Sequence, residues 1–275
     1  MRSSQAIAEQ VTFQSFANCY LREIDPGTVM QRPSETGEPL ACVEWGLPSQ
    51  RLLLQAELLS PSRCGPCRFG RIWQRRLAEL GWQEVEPFSA VYLLARECYR
   101  PAGGARDPAR RGHELELLLR VLQSYQSVQR YLEAPVDPAS DPESFIAAEQ
   151  SLVFGHWLHP TPKSLQGMTD WQMTHYAPEL HGQFRLHLFA VDSAHVAHAS
   201  AVGASAPTIL ADVFGEAAAR LGLRPGEQII PMHPLQAEAL LLDPAIQALQ
   251  AAGVFARAGA GRAALYRHLL GPHGL

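Results

Sequence analysis

The stretch SPSRCGPCRFG, residues 60–70, decides between two folds for the first part of the chain. Its Cys-Gly-Pro-Cys segment has the spacing of a redox dithiol, in which the first cysteine begins a helix whose dipole stabilises the thiolate. The flanking sequence supplies part of that context. RLLLQAELL (51–59) is predicted to form a strand, and RIWQRRLAEL (71–80) is predicted to form a short helix.

The rest of a thioredoxin-like unit is missing downstream. Such a unit needs a second, parallel strand that opens opposite the dithiol, but the chain has a basic Gly/Pro-rich loop (100–112) and then a long amphipathic helix (114–132). Gly70 also lies where a redox helix should already be running. We therefore expect Cys64 and Cys67 to lie in an ordinary turn between strand and helix. A zinc site would need two further ligands, and no second Cys-X-X-Cys is present.

Composition and charge describe an ordinary globular chain. It has 275 residues, of which 47% are hydrophobic and 18% charged, and its net charge of −4 gives no reason to expect nucleic acid or an anionic membrane as a partner. No apolar run reaches the roughly 18 residues that a transmembrane helix requires. The first residues lack the apolar core of a secretory signal. The number of cysteines is five, which is odd and therefore does not suit a framework of paired disulfides. These features predict a cytoplasmic, reducing location.

Helices and strands are predicted in both halves of the chain without a regular strand–helix–strand alternation, which favours the α+β class. The loop APVDPASDP (134–142) separates two predicted domains, 1–137 and 138–275. Strands are predicted at 51–59, 89–96, 184–191 and 228–232, and helices at 5–24, 71–80, 114–132, 143–153, 205–222 and from Leu235.

Histidines concentrate in the middle of the chain, where seven of the eleven lie between residues 156 and 198. His156 and His159 flank a turn marked by glycine and proline, and Lys163 follows. Histidine and lysine donate to phosphate or carboxylate oxygens, so this pattern predicts an anion-binding loop. A metal pair of the form His-X-X-His is a second interpretation, although the Pro-Thr-Pro after His159 interrupts the helix it would use. A solvated proline-rich loop is the third.

Two further places carry candidate anion contacts. The predicted strand 184–191 sets Arg185 and His187 on one face, where they would either grip a polyanion or face water. In IIPMHPLQAE (229–238), His233 lies at a strand-to-helix corner, and Gln236 lies in the first turn of the helix that follows. A polar pair at a helix N-terminus is suited to an anion.

Three of these stretches together resemble, in order, the N-terminal half of the NRPS-independent siderophore synthetases, the IucA/IucC family. They are GHWLHPTPKSLQGM (155–168), YAPEL (176–180) and PMHPLQAE (231–238). The family pattern is similar to G-H-x-x-H-P-x-x-K-x-R-x-G, then Y-x-P-E, then H-P-x-Q. NCYLRE (18–23) is similar to the family's first helix, and SRCGPCRFG (62–70) falls where the family has a strand-turn of S-x-x-G-x-x-R-F character.

The resemblance implies a ligase of siderophore biosynthesis and iron acquisition that uses ATP and Mg²⁺. Such an enzyme adenylates a citrate-like carboxylate, and an amine or hydroxyl then displaces AMP. The implied architecture is a helical, thumb-like N-terminal region followed by a fingers-like mixed or antiparallel sheet flanked by helices. The resemblance assigns His156, His159 and Lys163 as catalytic contacts, with His233 and Gln236 as binding residues in the same cleft. We also predict Gly155, Ser164 and Arg185 as substrate or nucleotide contacts. The resemblance assigns no metal ligand.

Two departures from the family pattern lead to an alternative. The arginine that follows the family's lysine is Leu165 here, so one charge-assisted contact of about 1.5–3 kcal/mol is missing. The sequence also stops at Leu275, without the S-x-R-T segment and the C-terminal palm domain of the family. We therefore expect the chain to need a C-terminal half, or a homodimer partner, for catalysis. The alternative is a degenerate, non-catalytic binding or interaction module.

Overall fold

The computed structural model describes residues 3–33, 37–62, 64–99, 108–135, 144–165, 167–220 and 222–257. The chain divides into two compact units. The first comprises Met1–Asp141 and Glu149–Asp170, and the second comprises Pro142–Ala148 and Trp171–Leu275. The segment that carries His156 and Lys163 therefore groups with the residues of the first unit. The predicted division into domains 1–137 and 138–275 stays a prediction.

The first unit combines three long helices with an antiparallel sheet of five strands in the order β1-β2-β3-β4-β5. The predicted helices at 5–24 and 114–132 and the strand at 51–59 are confirmed as α1, α3 and β3, and α3 begins earlier, inside the predicted loop 100–112. The elements are α1 (Ser4–Glu23), β1 (Thr28–Arg32), β2 (Leu40–Leu47), β3 (Leu52–Ser60), β4 (Arg68–Arg76), β5 (Gln83–Glu84), α2 (Pro87–Tyr99) and α3 (Pro108–Glu133).

The core of the first unit lies between the sheet and its helices. The aromatic rings of Phe13 on α1, Trp45 on β2 and Phe69 on β4 meet there, with centroids 5.7 Å apart for Phe13–Phe69 and 6.1 Å apart for Trp45–Phe69. Leu94 on α2 and Val121 on α3 complete the same buried cluster. Each fully buried side chain of this size contributes roughly 1.5–3 kcal/mol, so this cluster holds the helices on the sheet.

Two predicted elements are of the wrong type. Residues 89–96 lie in helix α2 rather than in a strand, since a short apolar run does not distinguish the two. Of the predicted helix 71–80, residues 71–76 lie in strand β4 and residues 77–80 follow the strand without forming a helix. In β4 both Ile72 and Trp73 are buried, although they point to opposite faces. The guanidinium of Arg32 covers the outer face of Trp73, with its Cζ 4.3 Å from the ring centroid, so the expected alternation of apolar and polar residues is lost.

The Cys-Gly-Pro-Cys segment lies in the turn between β3 and β4, with a strand on both sides. The predicted turn from strand to helix is therefore wrong, and no helix begins at Cys64 to stabilise a thiolate. Both cysteines are free thiols; Cys64 is exposed and Cys67 is buried.

One face of α1 fastens this turn through side chains spaced four residues apart. Asn18 accepts from the backbone N–H of Cys67 at 2.7 Å and donates to the Cys67 carbonyl at 3.0 Å. Gln14 accepts from the N–H of Phe69 and also donates to the Cys67 carbonyl. Gln10 and Arg22 extend the ladder to the carbonyls of Phe69 and Gly65. These bonds satisfy buried backbone groups that the sheet leaves unpaired.

The second unit holds a three-stranded antiparallel sheet in the order β7-β6-β8, flanked by helices. Helices predicted at 143–153 and 205–222 and the strand predicted at 184–191 are confirmed with shorter bounds, and the strand predicted at 228–232 is confirmed with one more residue at its start. The remaining elements, including α4, whose residues divide between the two units, are α4 (Phe145–Gln150), α5 (Asp170–Tyr176), β6 (His187–Asp192), α6 (Ala206–Arg220), β7 (Glu227–Met232), α7 (Pro234–Leu241), α8 (Pro244–Ala251) and β8 (Phe255–Arg257).

The predicted α+β class is confirmed, since helices and antiparallel sheets occur in both units. The N-terminal, thumb-like region, predicted to combine helices with strands, contains the five-stranded sheet of the first unit. Within the described ranges, no helix combines the length and apolar character needed to cross a bilayer.

Candidate functional site

The loop that carries the predicted phosphate contacts closes on Gly155. This glycine has a φ of +70°, which other residues adopt only at a cost. A Cβ there would lie 2.9 Å from Cβ of Pro162 and 3.3 Å from Cε of Lys163. Gly155 therefore lets the start of the loop contact the stem of Lys163 directly, which is a structural reason for its place in the motif.

The far side of the loop is fixed to helix α3. The backbone N–H of Lys163 donates to the buried hydroxyl of Ser124 at 3.0 Å. The Lys163 Nζ lies 5.6 Å from the ring centroid of Tyr131, which is also buried on α3. Ser164 donates its hydroxyl to the carbonyl of the buried Thr161 at 3.1 Å, so this predicted binding residue also braces the loop.

His156 and His159 both lie exposed on this loop. The ring Nδ1 of His156 accepts from the N–H of Leu158 at 3.2 Å, and that of His159 accepts from the N–H of Thr161 at 3.1 Å. The two histidines are also joined through their backbones, because the N–H of His159 donates to the carbonyl of His156 at 3.2 Å. Both imidazoles are thus positioned by the backbone that follows them.

Lys163 is the only lysine in the chain, since 22 of the 23 basic residues counted as lysine or arginine are arginines. A flexible ammonium provides a compact point charge for phosphate, whereas arginine provides a planar fork, so the two are not interchangeable at a phosphate. Because lysine occurs only once, the composition draws attention to Lys163 independently of the motif.

In the second unit, His233 caps helix α7, and its Nδ1 accepts from the N–H of Leu235 at 3.2 Å. The helix predicted from Leu235 is confirmed as α7 and begins one residue earlier, at Pro234. The imidazole packs edge-on against two rings, with centroids 4.8 Å from Tyr176 and 4.3 Å from Phe184. Burial lowers the pKa of His233 below its ordinary value of 6.5, so the ring is neutral at physiological pH.

The ring partners of His233 were missed in the sequence, and a glycine brings them together. Gly182 lies so close to the end of α5 that a Cβ would fall 2.5 Å from the carbonyl oxygen of His175. The chain reverses there, and Phe184 reaches Tyr176 with ring centroids 5.3 Å apart. Burial raises the pKa of Tyr176, whose hydroxyl therefore remains protonated. The signal in the sequence was the aromatic pair that flanks the His-Gly turn.

The two remaining predicted contacts of this unit are exposed. Gln236 is the third residue of α7, as predicted. Arg185 lies two residues before β6, which begins at His187, so the prediction that one strand holds Arg185 and His187 side by side is wrong. The strand starts later because the pairing of β6 with β7 begins at His187, opposite Met232.

The loop offers donors and a positive charge rather than metal ligands. Within the described part of the chain, no group of three or more histidine, cysteine, aspartate or glutamate side chains is arranged to hold a metal ion. Mg²⁺ prefers carboxylate and phosphate oxygens, and the side chains of His156, His159 and Lys163 do not fit it. They fit an anion, such as a phosphate or a carboxylate.

Known proteins resemble this chain in sequence. Residues 144–267 match the model of the IucA / IucC family. The chain is 31% identical over 273 residues to a spermidine-citrate ligase of Bacillus anthracis, covering 90% of this chain and 44% of that protein. It is 42% identical over 174 residues to the rhizobactin siderophore biosynthesis protein RhbC of Rhizobium meliloti, covering 62% of this chain and 29% of that protein.

The fold is also found among solved structures. The ATP-bound aerobactin synthetase IucA of a hypervirulent Klebsiella pneumoniae superposes with a TM-score of 0.71 at 23% identity, over 91% of this chain and 44% of that one. The chain thus spans less than half the length of the relatives it matches.

Proposed function

Because the chain belongs to the IucA / IucC family, we propose that it serves siderophore biosynthesis as the part of an ATP-dependent ligase that holds nucleotide phosphates and a citrate-like carboxylate. The proposed reaction has two steps. A carboxylate oxygen attacks the α-phosphorus of ATP and releases pyrophosphate, which gives an acyl-adenylate. An amine or hydroxyl then attacks the acyl carbon, loses its proton and displaces AMP, which gives an amide or ester.

The charges in this reaction define what the residues must do. A triphosphate and a polycarboxylate repel one another, so their approach requires donors and cations fixed in advance. In our proposal, Lys163 provides the positive charge, and His156 and His159 donate to phosphate or carboxylate oxygens. We also propose Arg185, His233 and Gln236, which lie in the second unit, as substrate or nucleotide contacts. Mg²⁺ would arrive with the nucleotide, and we assign it no ligand in this chain.

One observation carries the proposal: a loop with a lysine and two histidines is rigidly braced by Gly155 and by the buried hydroxyl of Ser124. These two contacts fix the backbone of the loop from both sides. The relative from B. anthracis is named for joining spermidine to citrate, which supports a citrate-like acid and an amine as substrates. Consumption of ATP and five free cysteines favour a cytoplasmic location for this protein.

The test compares two substitutions of one residue. Lys163→Met removes the charge with little change in length, whereas Lys163→Arg retains a charge of different shape. Calorimetry should show saturable binding of ATP with Mg²⁺ to the wild type. Loss of one charge-assisted contact should weaken binding by about tenfold or more in Lys163→Met, with Lys163→Arg intermediate. Equal affinities for all three proteins would contradict the proposed role.

The alternative, a degenerate binding module without turnover, is favoured by Leu165 in place of the family's arginine. The two functions separate in a trans assay. The chain is mixed with the C-terminal part of the spermidine-citrate ligase and with ATP, citrate and hydroxylamine, which traps an acyl-adenylate as a hydroxamate. Hydroxamate formation that increases in Leu165→Arg supports the ligase. Binding of ATP without any hydroxamate in this mixture supports the module.

A further inference from the structure

We propose that His156, His159 and His233 are each held as a single tautomer, protonated on Nε2, and act as neutral donors to anionic oxygens rather than as metal ligands or proton acceptors. The identity of the anion rests on the proposed function. The tautomer itself rests on the local geometry of each unit alone, and it can be tested without any ligand.

The three histidines share one local arrangement. In each, the ring Nδ1 receives the backbone N–H of the residue two positions later. A nitrogen that accepts a hydrogen bond carries no proton, so the proton of the neutral ring is on Nε2. The donor and acceptor pairs are Leu158 N–H to His156 at 3.2 Å, Thr161 N–H to His159 at 3.1 Å, and Leu235 N–H to His233 at 3.2 Å.

The sequence explains why this arrangement recurs. His159 and His233 each precede a proline, which keeps the preceding residue in the extended region and has no N–H of its own. His233 has the corresponding dihedrals, φ −62° and ψ 141°. The first available N–H is then two residues on, where the ring Nδ1 reaches it as the side-chain oxygen of asparagine does in an Asx turn. His156 forms the same bond with tryptophan as its next residue.

This tautomer limits the chemistry of the rings. A histidine that binds a metal through one nitrogen donates its other N–H to an acceptor, but here the second nitrogen faces a donor. A general base needs a lone pair at the nitrogen that meets the substrate, and Nε2 carries a proton instead. The arrangement therefore disfavours the His-X-X-His metal pair that the sequence left open. The role that remains for each ring is to donate a hydrogen bond from Nε2–H to a phosphate or carboxylate oxygen.

The direct test is NMR of the free protein with ¹⁵N-labelled histidine. Long-range ¹H–¹⁵N correlation spectra distinguish the two neutral tautomers and the rapidly exchanging mixture of an unconstrained ring. Spectra of His156→Asn, His159→Asn and His233→Asn assign the signals by their disappearance. We expect all three rings to be Nε2-protonated above the range in which histidine titrates. An Nδ1-protonated ring, or an exchanging mixture at His156 or His159, would overturn the proposal.

A pair of substitutions separates the two nitrogens of one ring. In His159→Asn, the side-chain oxygen replaces Nδ1 in the turn, but nothing replaces Nε2–H. In His159→Gln, the amide N–H₂ reaches the position of Nε2–H, but the turn loses its acceptor. We expect His159→Asn to retain the wild-type melting temperature and to bind ATP with Mg²⁺ about tenfold or more weakly. His159→Gln should melt at a lower temperature and bind ATP more tightly than His159→Asn.

A Zn²⁺ titration completes the test. Zinc should bind the wild type and His159→Asn equally, because neither ring nitrogen of His159 has a lone pair free for it. Zinc binding that is lost in His159→Asn would overturn the donor role. If the NMR spectra show the expected tautomers but the wild type binds no ATP, the proposed function fails while the tautomer stands. If ATP binds but the spectra show a different tautomer, the tautomer proposal fails while the proposed function stands.

Discussion

The backbone N–H of Lys163 donates to the hydroxyl of Ser124, 3.0 Å away, and so ties the loop that carries His156, His159 and Lys163 to a buried position on helix α3. The two residues are 39 positions apart in the chain. Through this bond, the core of the first unit fixes the position of the Lys163 backbone and therefore the base of its side chain.

Ser124→Ala should loosen the loop. The substitution removes the acceptor for the Lys163 N–H and should lower the free energy of unfolding by about 1–2 kcal/mol. It should also weaken ATP binding, because the loop is less ordered before it binds. Urea denaturation and calorimetry measure the two effects. Gln126→Ala, an exposed change on the same helix, serves as the control and should leave both values unchanged.

Gly155 and Gly167 provide a matched comparison of backbone and packing effects. Both have positive φ, +70° and +79°, but a Cβ meets the Pro162 and Lys163 side chains only at Gly155. Each alanine substitution should cost about 1–2 kcal/mol for the left-handed backbone. Gly155→Ala should cost roughly 1–3 kcal/mol more because of overpacking. Equal costs in urea denaturation would show that the loop does not close on Gly155.

Asn18→Ala tests the ladder that fastens the Cys-Gly-Pro-Cys turn. The substitution leaves the buried N–H and C=O of Cys67 without Asn18 as a partner and should lower the free energy of unfolding by about 1–3 kcal/mol. The control is Gln5→Ala, which removes an exposed contact with Glu9 on the same helix and should change stability by less than about 0.5 kcal/mol. Similar values for the two variants would contradict the bracing role of α1.

The lowered pKa of His233 predicts a pH dependence of stability. Because the folded pKa lies below the unfolded value, the contribution of His233 is fully present above 6.5 and is lost as the pH falls through the folded value. His233→Asn retains the helix cap but cannot titrate. Denaturation curves should therefore show that the stability difference between wild type and His233→Asn shifts against the wild type on acidification. A difference that is constant with pH would contradict the burial of this ring.

Local pattern predicted much of the fold. Apolar spacing, capping residues and turn residues within each segment predicted helix α1, helix α3 and the elements from β6 to α7. The error at β4 has a non-local cause, because Arg32, 41 positions earlier, covers the buried Trp73. The error at α2 has a local cause, because a short apolar run does not distinguish a helix from a strand. Strand β1 and strand β2 were missed, since their short apolar runs resemble loops until they pair.

The sequence singled out the residues of the candidate site but not their geometry. His156, His159 and Lys163 stand out in the sequence, and the lone lysine strengthens the choice. Ser124 and Tyr131 could not be assigned to the loop, since they reach it only through the tertiary packing of α3. The proline after His159 and His233 favours their Nδ1 bonds, whereas the Nδ1 bond of His156 depends on backbone dihedrals that the sequence does not specify.

The most direct test of the account uses the single lysine as a reporter. Reductive methylation with ¹³C-formaldehyde keeps the charge of Lys163 and gives it a ¹³C signal that Lys163→Arg identifies by its absence. Titration with ATP and Mg²⁺ should shift this signal saturably, and His159→Asn should require a higher concentration for the same shift. A Lys163 signal that does not respond to ATP up to millimolar concentration, with or without citrate, would contradict the claim that this loop binds the nucleotide.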